Sequence, residues 1–136
     1  MKQSITFIIF WLLFPIILCA NHVHWLGDYD TAFQKAHKEH KPLLVLVVKK
    51  ESSRSNKIIK DQFMNHAYVD AINQKMVPVI VMYEGRVNYP IEMYYTRVFP
   101  TLFFVDTKTE TFMGEPLYGE EIKSDMLENM TAHMDQ

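Results

Sequence analysis

The chain of 136 residues has one cysteine, four glycines and no surplus of basic charge, with 14 Lys and Arg against 16 Asp and Glu and a formal net charge of −2. Each shortage removes a class of function. Without a basic field or a run of like charges there is little to grip a phosphate backbone, so nucleic acid is not an expected partner. So few glycines argue against a phosphate- or dinucleotide-binding loop, and no Ser-His-Asp order or paired-carboxylate motif stands out. His37 and His40 lie three apart on a helix, but no further ligand follows at a zinc-motif spacing. His22 and His24 would bear on copper only if a cut after Cys19 left a free amine beside them. No metal and no cofactor is therefore expected. No internal repeat and no low-complexity tract occurs. What the chain does have is apolar surface, with 49% hydrophobic residues and nine Phe, seven Tyr and two Trp. That excludes a solvated tail, and the length suits one folded domain.

The amino terminus reads as an export segment. Lys2 precedes an apolar run from Ile5 to Ala20, broken only by Thr6 and Pro15. The run falls short of the ~20 residues that cross a bilayer, and Pro15 breaks it where a cleavage region begins. Residues 1–20 are thus expected to be a signal peptide or an N-terminal anchor, and residues 21–136 the domain. The protein is expected in the periplasm or cell envelope, touching the membrane only through an uncleaved terminus or a lipidated Cys19. Leu18 is large for the −3 position of a cut after Ala20, and Ile16 to Leu18 lack the small residue that precedes a lipoprotein cysteine. Removal of residues 1–20 leaves a mature chain without a thiol, so an oxidising compartment gives it no disulfide to make.

Along the domain, Asp28 or Asp30 caps a helix over Tyr29–Glu39 with Ala32 and Ala36 on its apolar face. Lys41-Pro42 ends it. Leu43 to Val48 (LLVLVV) has no polar alternation, the pattern of a strand covered on both faces. A second helix is expected from Ser52 to Met64 and a shorter piece from Tyr68 to Asn73. Val77 to Met82 is a second strand, parallel to the first across a helical crossover. Pro90 opens a one- to two-turn helix over Ile91 to Thr96. Leu102 to Val105 and Thr111 to Met113 form an antiparallel hairpin. A last helix covers Glu120 to His133, with Ile122, Met126, Leu127 and Met130 as its buried stripe. Tyr89, Tyr94, Tyr95 and Phe99 supply core or a peptide-binding rim. The nine methionines read as adaptable packing. The fold class is α/β, with helices on both faces of one sheet.

Four segments in this order resemble the thioredoxin-like family, in particular its exported members with a tryptophan at the start of the first helix. They are Trp25-Leu26-Gly27-Asp28-Tyr29 leading to Ala32 and Ala36, Lys41-Pro42 before the first strand, Ser52 to Phe63, and Val98-Phe99-Pro100-Thr101. The resemblance covers about residues 25 to 130. It implies an α/β/α sandwich whose central mixed sheet has about four strands. It also implies a cis Pro100 facing the loop after the first central strand, with Phe99 offering backbone groups to an extended peptide.

One departure governs the functional expectation. Redox-active members carry Cys-x-x-Cys where this chain reads Ser52-Ser53-Arg54-Ser55, followed by Asn56-Lys57-Ile58 and later Phe63. Dithiol chemistry needs a thiolate at the helix start and a second thiol to resolve the mixed disulfide. A serine hydroxyl supplies neither. The ordinary role of Ser52 is to cap the helix, for ~1 kcal/mol; the alternatives are an anion or peptide carbonyl bound at the helix end beside Arg54 and Lys57, or a hydrogen bond to a thiol ligand such as glutathione. The expectation is a redox-inactive exported protein that binds protein or peptide segments beside Ser52, Ser53, Arg54, Ser55, Phe99, Pro100 and Thr101, with no catalytic residue. The alternatives are a thiol-ligand-binding protein or enzyme using Ser52, and a structural subunit of an envelope assembly.

Overall fold

A computed structural model describes residues 21–85 and 88–134; residues 1–20, on which the expected export segment and Cys19 fall, lie outside the described residues. Helix α1 spans Tyr29–Glu39. Its cap is Asp28, whose Oδ2 accepts the Thr31 N–H at 2.9 Å and the Thr31 hydroxyl at 2.6 Å. Those two donors hold the Asp28 carboxyl below its ordinary range. His40 closes the helix in the left-handed region at φ 56°, and Lys41 donates to the Ala36 carbonyl at 2.9 Å. The chain then enters β1, Leu43–Val48, in which every residue is buried. Helix α2 covers Ser53–Gln62, α3 covers Tyr68–Lys75, and β2 runs from Val77–Met82. Strand β3, Thr101–Asp106, is followed by the two-residue strands β4, Thr111–Phe112, and β5, Leu117–Tyr118. A 3₁₀ turn at Gly119–Glu121 leads to α4, Ser124–His133.

The sheet order is β2-β1-β3-β4, with β5 also on β3. Strands β1 and β2 are parallel, Leu43 opposite Val77, and β1 and β3 antiparallel, Val47 opposite Thr101. β5 pairs with the start of β3 and β4 with its end, so the two short strands share one border of the sheet. On the opposite border Leu26 donates to the Pro78 carbonyl and accepts from Ile80, each at 2.9 Å. Pro78 therefore sits on an outer strand, where its missing N–H breaks no inner ladder.

Alternate residues of β1 face two cores, as the period of a strand requires. Leu44, Leu46 and Val48 pack with Ile58, Phe63, Val69, Ile72 and Leu127 of the α2, α3 and α4 side. Leu43, Val45 and Val47 pack with Ala32 and Ala36 of α1 and with Tyr29 and Tyr94. The two small alanines, both fully buried, let α1 lie close to the sheet. Between the buried rings the Tyr29 and Tyr94 hydroxyls hydrogen-bond at 2.8 Å, and burial pushes both phenols up from their usual pKa.

Three expectations change. Residues 91–94 form a single turn closed by Met93 and Tyr94 donating to the Pro90 carbonyl. Beyond it the Thr96 hydroxyl bonds Val98 and Thr101. The last helix is divided: Gly119–Glu121 is 3₁₀, Ile122 and Lys123 are extended, and α4 begins at Ser124. Its stripe divides too, since Ile122 and Leu127 are buried whereas Met126 is 40% exposed.

Candidate functional site

The carboxyl end of β1 delivers the chain into the turn 49–52, where Ser52 donates to the Lys49 carbonyl at 3.3 Å and Glu51 takes the left-handed conformation at φ 57°. Ser52 then caps α2: it is extended, and its Oγ accepts the Ser55 N–H at 3.1 Å. This satisfies one of the donors that a helix start leaves open. Ser52 is partly exposed, Ser53 and Arg54 are exposed, and Ser55 is only 2% exposed. The buried Ser55 Oγ has no hydrogen-bond partner among the described residues. A buried hydroxyl without a partner costs on the order of 1–3 kcal/mol.

Arg54 reaches across to the 3₁₀ turn and grips Glu120 with two donors, Nε to Oε1 at 2.7 Å and Nη2 to Oε2. The pair holds the Glu120 carboxyl below its usual range. It also offsets the cost of a cation at the positive end of a helix dipole. The guanidinium lies over Gly119, where a Cβ would run into it, and Gly119 has φ +54°, which favours glycine. Gly119 in turn donates its N–H to the Pro100 carbonyl at 2.8 Å. Arg54, Gly119 and Pro100 thus link the start of α2 to the loop before β3, the same end of the sheet that the antiparallel register assigns to Pro100.

The Phe99-Pro100 peptide is cis. Its approach is fixed by a hydroxyl clamp: the Val98 N–H donates to Thr96 Oγ1 at 3.1 Å, Thr101 Oγ1 donates to the Val98 carbonyl at 2.5 Å, and the two threonine hydroxyls meet at 2.9 Å. Thr101 is fully buried, so its side chain serves this clamp rather than the surface. Phe99 is half-buried with its ring 4.9 Å from Tyr83, whose N–H bonds the Val48 carbonyl at 2.9 Å. Among the described residues neither the N–H nor the carbonyl of Phe99 has a hydrogen-bond partner.

The residues picked from sequence therefore gather at one end of the molecule, with Thr101 turned inward. Sequence reasoning missed Tyr83, Gly119 and Glu120. Gly119 alone left a trace, as one of four glycines in the chain. His37 places Nδ1 3.3 Å from the Thr107 carbonyl, at the other end of the sheet. Among the described residues no group of three His, Cys, Asp or Glu side chains is placed to hold a metal ion.

A family model described as thioredoxin-like matches residues 24–107. Sequence comparison with curated proteins gives no match. Among solved structures, the chain is similar to a putative disulphide-isomerase from Bacteroides thetaiotaomicron, with 19% identity, 87% of this chain and 98% of that one covered, and a TM-score of 0.68. It is similar to a structure titled DsbH oxidoreductase at 14% identity, with 89% of each chain covered and a TM-score of 0.66. A thioredoxin from Thermus thermophilus aligns at 13% identity over 84% of this chain and 88% of its own, with a TM-score of 0.65. At such identities the structures speak for the fold, and the sequence match over more than half the chain speaks for the lineage: the chain belongs to the thioredoxin-like family.

Proposed function

We propose that this protein is an exported, redox-inactive thioredoxin-like protein that binds extended protein segments at the end of the sheet formed by Ser52–Ser55 and Phe99–Pro100. The observation that carries the reading is the pairing of two features. Serines stand at the cap and third position of α2, and beside them the Phe99 backbone is unpaired. A hydroxyl at the cap stays protonated and forms no disulfide, so electron transfer has no carrier there. An unpaired N–H and carbonyl beside an exposed serine-rich turn suit a guest backbone, which gains main-chain hydrogen bonds without sequence preference. Export rests on the Lys2 and Ile5–Ala20 pattern, with residues 21–136 as the mature domain.

The test is an insulin-reduction assay with dithiothreitol, run on the natural chain and on Ser52→Cys/Ser55→Cys. The natural chain is expected to match the no-protein control. The double variant is expected to turn over, because position 52 is partly exposed for attack and position 55 is buried beside it for resolution. Turnover by the natural chain overturns the redox part of the proposal. The binding part is tested by calorimetry against unfolded protein segments, where Phe99→Pro, which removes the N–H, should weaken binding. Ser52-dependent binding of glutathione instead of peptide would favour a thiol-ligand role.

A further inference from the structure

At the amino end of β1, opposite the site above, α4 and the strands frame a groove of about 570 Å³. Its walls carry Met76, Met113, Met126, Met130 and Met134 together with His133. Five of the nine methionines thus converge from three separated segments on one cavity. Packing does not explain all of them. Met76 is 2% exposed and Met130 and Met134 also pack against the core, but Met113 is 46% and Met126 is 40% exposed. Exposed large apolar side chains on a groove wall gain little from burial.

Thioether sulfur is a soft, uncharged donor, and soft donors select monovalent copper over divalent ions. Among the groove residues His133, Glu115 and Asn129 alone carry side-chain donors that would suit a divalent cation, and zinc sites take several N, S or carboxylate ligands. Met126 and Met130 of α4 and Met134 at its cap recur every four residues, so neighbours stand ~6 Å apart along the axis. Two of them, with Met113 from the strand side or His133, would supply three donors to one ion. We infer that this groove is a binding site for one soft monovalent cation, Cu(I) in the cell and Ag(I) in the test tube, held by thioethers of α4 and Met113 with His133. Binding involves no electron transfer and no proton release from the sulfurs.

The test is a titration of the full chain carrying Cys19→Ser, which removes the only thiol, with Cu(I) under anaerobic conditions against a chromophoric Cu(I) chelator. One equivalent is expected to be retained. Met126→Leu/Met130→Leu/Met134→Leu keeps the volume and apolar character of the groove, so a merely apolar guest would be indifferent to it, whereas retention of Cu(I) should be lost with the ligands. Met64→Leu/Met82→Leu/Met93→Leu, outside the groove, should leave it unchanged. Ag(I) added to the unsubstituted groove should shift the methionine methyl resonances of 113, 126, 130 and 134 and spare those of 64, 82 and 93. Failure to retain Cu(I), equal loss in both triple variants, or shifts confined to the methionines outside the groove would each overturn the assignment.

Discussion

At the carboxyl end of β1 the chain is held by directed bonds: Ser52 to Ser55, Arg54 to Glu120, Gly119 to Pro100, and the Thr96–Val98–Thr101 clamp. At the amino end five of the groove's wall residues are methionines, beside the polar Glu115, Asn129 and His133. Hydrogen bonds have narrow geometry and fail abruptly when one partner is lost. Methionine packing yields gradually, since an unbranched chain can refill space. One end of the same sheet is thus held by directed hydrogen bonds, and the other is packed by adaptable side chains.

Removing the core shared by both ends should have the largest effect. Phe63 is fully buried and meets Trp25 edge-on with ring centres 5.0 Å apart. Phe63→Ala is expected to cost about 3–5 kcal/mol, read from urea unfolding as one transition that takes both ends together; separate transitions would show that the ends are independent units. Next comes the contrast itself. Thr101→Val removes the clamp's two Thr101 bonds while keeping the shape and should cost about 1–3 kcal/mol, whereas Met130→Leu should cost under about 1.5 kcal/mol. Equal losses in thermal melts would erase the distinction. Ser52→Ala should cost about 1 kcal/mol, the worth of an N-cap, with no change at the groove.

The smallest effect is electrostatic. The Arg54 donors lower the Glu120 pKa in the folded protein, so the pair's contribution is full above the unfolded glutamate value, near 4.3, and disappears as pH falls through the folded one. Both side chains are exposed, so the effect on stability is slight. The sharper measure is a carboxyl NMR titration, in which Arg54→Ala should raise the Glu120 pKa toward the ordinary glutamate range, the backbone hydrogen bond at Glu120 still holding it down in part.

What was legible in sequence follows the same division between local and distant causes. The six apolar residues of β1 declare a doubly covered strand on their own, and Asp28 and Ser52 declare helix starts through bonds three residues long. β5 is too short to show a period, and it exists because β3 offers it a border. Arg54 and Glu120 are 66 residues apart, so only the folded topology brings them over Gly119. The four-residue recurrence in α4 was visible, but it read as core. Met113 and Met76 reach the groove from other segments, and the division at Lys123 turns Met126 outward.

The borders of the sheet set how this protein can meet other chains. Leu26 occupies the outer side of β2, and the outer side of β3 is taken by two strands of two residues each. Such stubs give a neighbouring copy almost no ladder to extend, so crowding in solution should not drive these molecules to zip into fibres. Under the proposed binding role, a visiting polypeptide would meet the same obstacle at the flanks, which leaves the turn at Phe99 as its docking place.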